Sequence, residues 1–296
     1  MENLYEKIRS GLAFNKFEVR ELLFVEYTCP LEDEAFGIWT QSDYLIHVLS
    51  GQKTWRTPRG SWTVAAGETL YIKKGAAIVE QFFDDEFCML GFFISDDFIR
   101  NILKEISGKM DFNADPKNSP AAAIEVHNDP LLSAYFQSML TYFNGSQKPS
   151  DLLLEIKLKE FIINILTTPH NPSLAAYFQS LLEVEKSSIR QIMEANFNFN
   201  LSLEEFARLC HRSVSSFKRD FKKHYNLSPG KWLLTKRLEY SAHLLKNSDS
   251  SITQIIFECG FEDLSHFSRA FKEQFGVSPL NFRKDAGAKR TLPASF

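Results

Sequence analysis

The chain has 296 residues, 44% of them hydrophobic, with a formal net charge of −3 and four cysteines. This is too long for one typical domain and apolar enough to bury real cores, which excludes a disordered chain and predicts two domains. No run of 18 apolar residues occurs, the opening MENLYEKIRSG has no apolar leader core, and Cys29, Cys88, Cys210 and Cys259 form no CxxC pair, so a membrane span, a secretory leader and a disulfide or zinc framework are all disfavoured and a soluble cytoplasmic protein is expected.

Residues 1–100 are rich in strand signals. Phe24–Tyr27 and Tyr44–Leu49 combine β-branched and aromatic residues. Turns at Ser50-Gly51, Pro58-Arg59-Gly60, Ala66-Gly67-Glu68 and Lys73-Lys74-Gly75 set off strands at Lys53–Thr57, Ser61–Val64, Thr69–Ile72 and Ala76–Phe82, and Cys88–Ile94 closes the set. Short strands with such regular turns predict a sandwich or barrel. Trp39, Tyr44, Trp55, Trp62 and Tyr71 are candidates to line a pocket in it. Each taken singly is more simply a core or surface aromatic, because small barrels fill themselves with side chains. His47 shares a strand face with Leu45 and Leu49 by period two, so that face is apolar. There is no H-x-H and no Glu at a suitable spacing, so the ligand set of a metal-binding barrel cannot be assembled there. No cofactor is expected, and no effector-binding residue is assigned.

From Asp96 the pattern turns helical. Phe98, Ile99, Ile102 and Ile106 fit one helix, and 110–123, with Asp115-Pro116 and Ser119-Pro120, reads as a loop. Pro130–Phe143 carries Leu131, Leu132, Tyr135, Phe136, Met139, Leu140 and Phe143. Asp151–Leu166 carries Leu154, Leu158, Phe161, Ile162 and Ile165. The two form a hairpin whose stripes either pack on the barrel or pair two copies of the chain. TTPHNPS breaks the pattern, a helix from Leu174 to Val184 follows, and Glu185-Lys186-Ser187-Ser188 opens the last domain with a helix at Ile189–Asn196.

The last third contains a repeat. In Ser250–Pro279, Ser251 and Gln254 make a capping box, Ile252, Ile255 and Ile256 follow at helical spacing, and Gly260 stops the helix. A second helix carries Leu264, Phe267, Phe271 and Phe275 as one apolar stripe, Gly276 ends it, and Ser278-Pro279 starts another. In Leu201–Pro229, Ser202 and Glu205, then Leu203, Phe206 and Ala207, match at an offset of 49, while Val214, Phe217, Phe221 and Tyr225 match at 50. One turn is therefore a residue longer. Cys210 and Cys259 end the two first helices and read as small core residues. A short helix, a tight turn and a helix with one apolar and one polar-basic face make a helix-turn-helix, here in two copies.

These copies, the connecting segment Gly230–Lys246 and the run GFEDLSHFSRAFKEQFGVSP resemble the DNA-binding domain of the AraC/XylS family of bacterial transcription regulators. Asp220, in place of an apolar or small residue, and Asn226, where Gly is common, depart from the family pattern. AAGETLYIKKGAAIV, after LIHVLSGQ, resembles the cupin-like jelly-roll sensor domain of such regulators, in particular of activators that control type III secretion. The resemblance implies an activator that binds double-stranded DNA, works with RNA polymerase, dimerises through the hairpin and answers to a small-molecule or protein effector. The expected class is α+β: an N-terminal β-barrel or jelly-roll (1–100), a helical hairpin (101–170), a linker (171–187) and an all-α double helix-turn-helix domain (188–296).

Charge agrees with that division. Residues 186–296 hold 18 Lys+Arg and 11 Asp+Glu, a net of +7, which leaves 16 and 26, a net of −10, for the rest. Such asymmetry points to a polyanion partner for the basic part. Opposite the apolar stripes lie Ser215, Lys218, Arg219 and Lys222 in one copy and Ser265, Ser268, Arg269 and Lys272 in the other, with His266 adjoining. By the resemblance, Ser215, Lys218, Arg219, Ser265, His266 and Arg269 match positions that contact DNA, and Lys222 and Lys272 stand nearer phosphate. The bland reading is a solvated basic face, and an Arg there can also pair with an acid of its own domain. Two other readings remain open: a barrel enzyme fused to a DNA-binding module, which the missing metal set disfavours, and a regulator whose N-terminal part binds a protein instead of a metabolite.

Overall fold

LLFVEYT and CMLGFFI are apolar on both sides of the pleat, which suits a strand only within a sheet covered on both faces. The computed structural model shows how this is achieved. It describes residues 1–12, 14–28, 34–82, 86–107, 121–145, 147–183 and 189–290, with side chains other than those of 183 and 285–290. Cys29, most of the predicted 110–123 loop, Val184 and the Glu185–Ser188 stretch lie outside the described residues. The chain divides into two compact units, Met1–Ser188 and Ile189–Phe296.

The first unit opens with β1 (Glu2–Asn3), α1 (Leu4–Ser10), β2 (Asn15–Val19), β3 (Leu22–Thr28), β4 (Ala35–Thr40) and β5 (Asp43–Ser50). It continues with β6 (Gln52–Thr57), β7 (Gly60–Ala65), β8 (Thr69–Ile72), β9 (Gly75–Gln81) and β10 (Cys88–Ile94). Then come α2 (Asp96–Ile106), β11 (Ala123–Val126), α3 (Pro130–Phe143), α4 (Asp151–Thr167) and α5 (Pro172–Glu183). Among the described residues, one sheet has the order β1-β4-β9-β6-β7 and the other β11-β8-β5-β10-β3-β2. Ala123 was expected in a loop, but it pairs with Ile72 as the first residue of β11. The short α1, β2 and β4 were not expected.

Period two divides β5 between two cores. Tyr44, Ile46 and Val48 point between the sheets with Val25, Trp55, Val79 and Phe93. Leu45 points the other way, with Phe24, Tyr71 and Phe92, into a second core closed by α2, α3, α4 and α5. The hairpin stripes therefore pack on their own sheet: Leu154, Leu158, Phe161, Ile162 and Ile165 are fully buried in this second core. Leu131, expected among the apolar residues of α3, is 57% exposed. Of the five candidate pocket aromatics, Trp39, Tyr44, Trp55 and Tyr71 are buried core residues and Trp62 is half-buried against the core. Trp55 Nε1–H donates to the Tyr44 hydroxyl at 3.1 Å.

The second core contains one polar node. Asp43, fully buried, accepts from the Tyr71 hydroxyl at 2.9 Å, the Tyr177 hydroxyl at 2.6 Å and the Lys74 backbone N–H at 2.8 Å. Burial pushes its carboxyl up, against the pull of the Lys74 ammonium. Tyr177 belongs to α5, so this bond ties the last helix of the unit to β5 across the sequence.

The second unit is all helical: α6 (Ile189–Asn196), α7 (Leu203–Leu209), α8 (Val214–Tyr225), α9 (Pro229–Asn247), α10 (Ile252–Glu258), α11 (Leu264–Phe275) and α12 (Pro279–Arg290). No helix among the described residues is long and apolar enough to cross a membrane.

His47 lies on the helix-facing side of β5. Its ring stacks on Phe136 of α3, with centroids 4.0 Å apart, and Nδ1 meets the Thr69 hydroxyl at 2.8 Å. Burial lowers its pKa from 6.5 to about 4. An unfolded imidazole takes up its proton near 6.5 and the folded one only near 4. The stability it contributes is thus whole above pH 6.5 and is lost as pH falls toward 4. We expect the His47 ring resonances to titrate near pH 4 and the first unit to lose stability across that window. A ring titrating at 6.5 would contradict the packing.

Candidate nucleic-acid interface

The repeat seen in the sequence recurs bond for bond. In both copies the capping box closes: Ser202 Oγ accepts from Glu205 N–H at 3.2 Å while Glu205 Oε2 accepts from Ser202 N–H at 2.7 Å. Ser251 and Gln254 do the same at 3.2 and 2.8 Å. Each first helix ends at a buried cysteine, Cys210 or Cys259. The next residue has a positive φ, +51° at His211 and +77° at Gly260. Arg212 N–H then returns to Ala207 O at 2.9 Å, and Phe261 N–H to Ile256 O at 3.0 Å. The copies are in register through Phe261. They part before the next N-caps, Ser213 and Asp263. Glu262 is therefore the extra residue of the longer turn.

The second helices are each set by two phenylalanines. Phe217 and Phe221 in α8, and Phe267 and Phe271 in α11, are fully buried. Phe221 meets Trp232 of α9 edge-on at 5.9 Å, and Phe271 meets Phe282 of α12 edge-on at 5.3 Å. Trp232 and Phe282 are also 50 residues apart, so the repeat extends into the helix that follows each module. α8 and α11 end in left-handed residues, Asn226 at +52° and Gly276 at +79°. Asn tolerates this conformation, which accounts for its standing where Gly is common.

Burying one stripe leaves the opposite face in solvent. Ser215, Lys218, Arg219 and Lys222 are exposed on α8, and Ser265, His266, Arg269 and Lys272 on α11, while Ser268 is half-buried. Apart from His266, which adjoins Ser265, their spacing of three, four and seven from the first serine places each set on one side of its helix. The His266 ring leans on Phe261 at 5.9 Å. Leu264 departs from expectation. It was placed on the apolar stripe, yet it is 55% exposed. Phe261, from the longer turn, packs on Phe267 at 5.1 Å and fills the core where the first turn of α11 begins, leaving Leu264 outside.

The two arginines differ in setting. Arg219 Nη2 donates to Ser216 Oγ at 3.2 Å, and its Nε lies 3.4 Å from Asp220 Oδ1. Asp220 also pairs with Arg212. The neighbouring cations act against the desolvation of the Asp220 carboxyl and leave it below the usual range. In the second copy Phe261 and Ala270 stand where Arg212 and Asp220 stand in the first, an apolar pair in place of an ion pair. Arg269 has no ion-pair partner among the described residues.

Arg237 of α9 escaped the sequence reading. Its guanidinium donates to the carbonyls of Phe197 at 2.6 Å, Phe199 at 2.7 Å and Gly260 at 3.0 Å. Its only signal is a cation next to the apolar face formed by Trp232, Leu233 and Leu238.

Outside this unit, a cavity of about 510 Å³ opens beside the β7–β8 turn, with His127, Asn128, His170 and Asn171 in its wall. None of the five candidate aromatics lines it. No cluster of three or more His, Cys, Asp and Glu among the described residues could hold a metal ion.

Comparison with known proteins gives two family matches. Residues 43–177 match the profile of the ExsA N-terminal regulatory domain, and residues 206–285 that of a helix-turn-helix domain. The thermoregulatory protein LcrF of Yersinia pestis is 23% identical over 264 residues, which cover 89% of this chain and 96% of that protein. The transcriptional regulator ExsA of Pseudomonas aeruginosa is 24% identical over 237 residues, 80% of this chain and 84% of that one. The transcriptional activator RhaS of Escherichia fergusonii is 36% identical over 115 residues, 37% of this chain and 41% of its own length.

Truncating Phe267 to Ala removes the central ring of the second module and should destabilise it by about 3–5 kcal/mol. Denaturant unfolding of the full chain checks this, and a native-like curve for the variant would count against the core described.

Proposed function

The chain belongs to the AraC/XylS family of DNA-binding transcription regulators, and from that premise we propose how it reads DNA and how it is controlled. α8 and α11 enter successive major-groove segments on one side of the duplex, so that one chain covers close to two turns, roughly 20 base pairs. Ser215, Lys218 and Arg219, with Ser265, His266, Ser268 and Arg269, face the base edges, where Arg and Lys donate to guanine O6 and N7. Lys222 and Lys272, a turn further along, neutralise phosphates and position the helices without reading sequence. The observation that carries this reading is the repetition: the same exposed basic face, fixed by the same buried phenylalanine pair, occurs twice at one offset.

The first unit modulates this activity. Residues 43–177 match a regulatory-domain profile, and their unit carries the acidic share of the charge, which disfavours contact with DNA. A small molecule or a partner protein acting on this unit controls the regulator. Relatives are named as activators, and we read this chain as one too, working with RNA polymerase in the cytoplasm.

The chain also acts as a homodimer. The buried side of the hairpin is spent on its own sheet. The outer side of α4 still shows Leu152 at 67% and Ile156 at 49% exposure, four residues apart. An apolar pair of this kind on an outward helix face suits a second copy of the hairpin.

Two experiments test these readings. Gel-shift titration on the DNA upstream of its own and neighbouring genes, at fixed salt, should show Arg269→Ala weakening specific binding by about 1–3 kcal/mol with relaxed sequence preference. Arg219→Ala should have the smaller effect, since Asp220 already holds part of its charge. Unchanged footprints and affinities in both variants would remove the assignment. For the dimer, sedimentation of the full chain should show a dimer that Leu152→Glu with Ile156→Glu converts to monomer. A dimer indifferent to both changes puts the interface elsewhere.

A further inference from the structure

The two modules meet at one junction. The segment between α6 and α7, Phe197 to Asn200, lies against the α10–α11 turn. Asn198 Nδ2 donates to Glu258 O at 3.4 Å, and Asn200 Nδ2 bonds Glu262, the extra residue of that turn. The backbones are in van der Waals contact: a Cβ on Gly260 would come within 2.6 Å of Asn198 O. Arg237 completes the junction from α9. Its three donors reach Phe197 O and Phe199 O on the lead-in to the first module and Gly260 O in the turn of the second. A guanidinium holds its donors in a rigid planar fork, so satisfying three carbonyls at once fixes their relative positions. Burial of the group lowers its pKa, against the pull of nearby Glu262, and among the described residues it has no ion-pair partner, so its hydrogen bonds go to these carbonyls.

Ordinary packing already joins α9 to each module separately. Phe221 and Tyr225 meet Trp232, while Ile255, Ile256, Phe267 and Phe271 pack with Leu238, Ala242 and Leu245. These apolar contacts tolerate small rolls and slides. The guanidinium bonds are directional and span from one module to the other, so they fix what the apolar contacts leave loose.

We propose that Arg237 is a positioning residue for sequence recognition: by bonding the lead-in of the first module and the turn of the second, it fixes the separation and rotation of α8 and α11, and so sets the spacing between the two sequence elements that the chain accepts. The inference rests on both helices reading DNA. Arg237 touches no DNA in this account and acts only through the geometry of the helices that do.

The test uses the full chain and its Arg237→Met variant, each checked by its melting curve. Both are taken through selection from a duplex pool with a random core of about 30 base pairs, long enough for two turns. The wild-type chain should select two sequence elements at one spacing. Arg237→Met should select the same two elements over several spacings. On defined duplexes it should lose about tenfold affinity at the wild-type spacing and lose less on a site one base pair longer or shorter. A purely structural role lowers affinity for all spacings alike. A folded Arg237→Met chain that keeps the single wild-type spacing overturns the inference. Should Arg237→Met not fold, Arg237→Lys carries the same comparison, because a compact ammonium cannot span all three carbonyls. A lysine variant with the wild-type spacing distribution overturns it equally. A wild-type chain that selects only one element removes the two-helix reading itself, and the inference with it.

Discussion

Everything this chain does with DNA depends on two phenylalanines one turn apart on each second helix. A helix of twelve residues has little apolar surface to spend, and Phe217 with Phe221, like Phe267 with Phe271, spends it on one narrow stripe. Fully burying such side chains contributes about 1.5–3 kcal/mol each, and it also fixes the rotation of the helix about its own axis. That rotation decides which residues face outward. The serines, lysines and arginines opposite the stripe need no anchoring of their own, because the rings behind them have already aimed them.

That logic was readable in the sequence because it is local and periodic. Capping boxes, left-handed stops and the 3-4-4 spacing of apolar residues each leave a mark within a few positions, and the duplication doubles every mark. Non-local features left no such trace. Leu264 fits the stripe by periodicity, but Phe261 arrives from a longer turn and occupies the core first. Arg212 and Asp220 meet only once the turn has closed. Arg237 looks like any exposed helix cation until Phe197, Phe199 and Gly260 converge on it from two distant segments. In the first unit, α1 and β2 are short and carry Lys and Glu among few apolar residues, and β4 is short and interrupted by Gly37, so their propensity signal is weak. β11 exists because β8 offers it an edge. The burial of the six-stranded sheet on both faces was written in LLFVEYT and CMLGFFI, yet only the packing of α2 to α5 shows what covers the second face.

The same contrast holds around Asp43. A buried carboxyl is expensive unless it finds hydrogen-bond partners, and here two tyrosine hydroxyls and a backbone N–H supply three. One of those donors, Tyr177, lies on α5, the last helix of the unit. Removing it would cost a fully buried carboxyl one of its three partners, so docking of α5 is coupled to polar satisfaction as well as to apolar burial. α5 is thereby more firmly specified than its apolar face alone would make it.

The two modules are copies in architecture and not in electrostatics. In the first, Arg212 and Asp220 form an ion pair where the second has Phe261 and Ala270, and the pair draws in Arg219. An arginine held by Asp220 and Ser216 has already given up part of its rotamer freedom. In the proposed reading it loses less entropy on meeting a base, but it must share or exchange a partner to do so. Arg269 has no ion-pair partner among the described residues, and in the proposed reading it gains more from a guanine or a phosphate while being ordered at greater entropic cost. The two modules thus present exposed faces of the same geometry in different electrostatic settings. In the proposed reading the first module is preset and modest in its gain, and the second depends more strongly on what it meets.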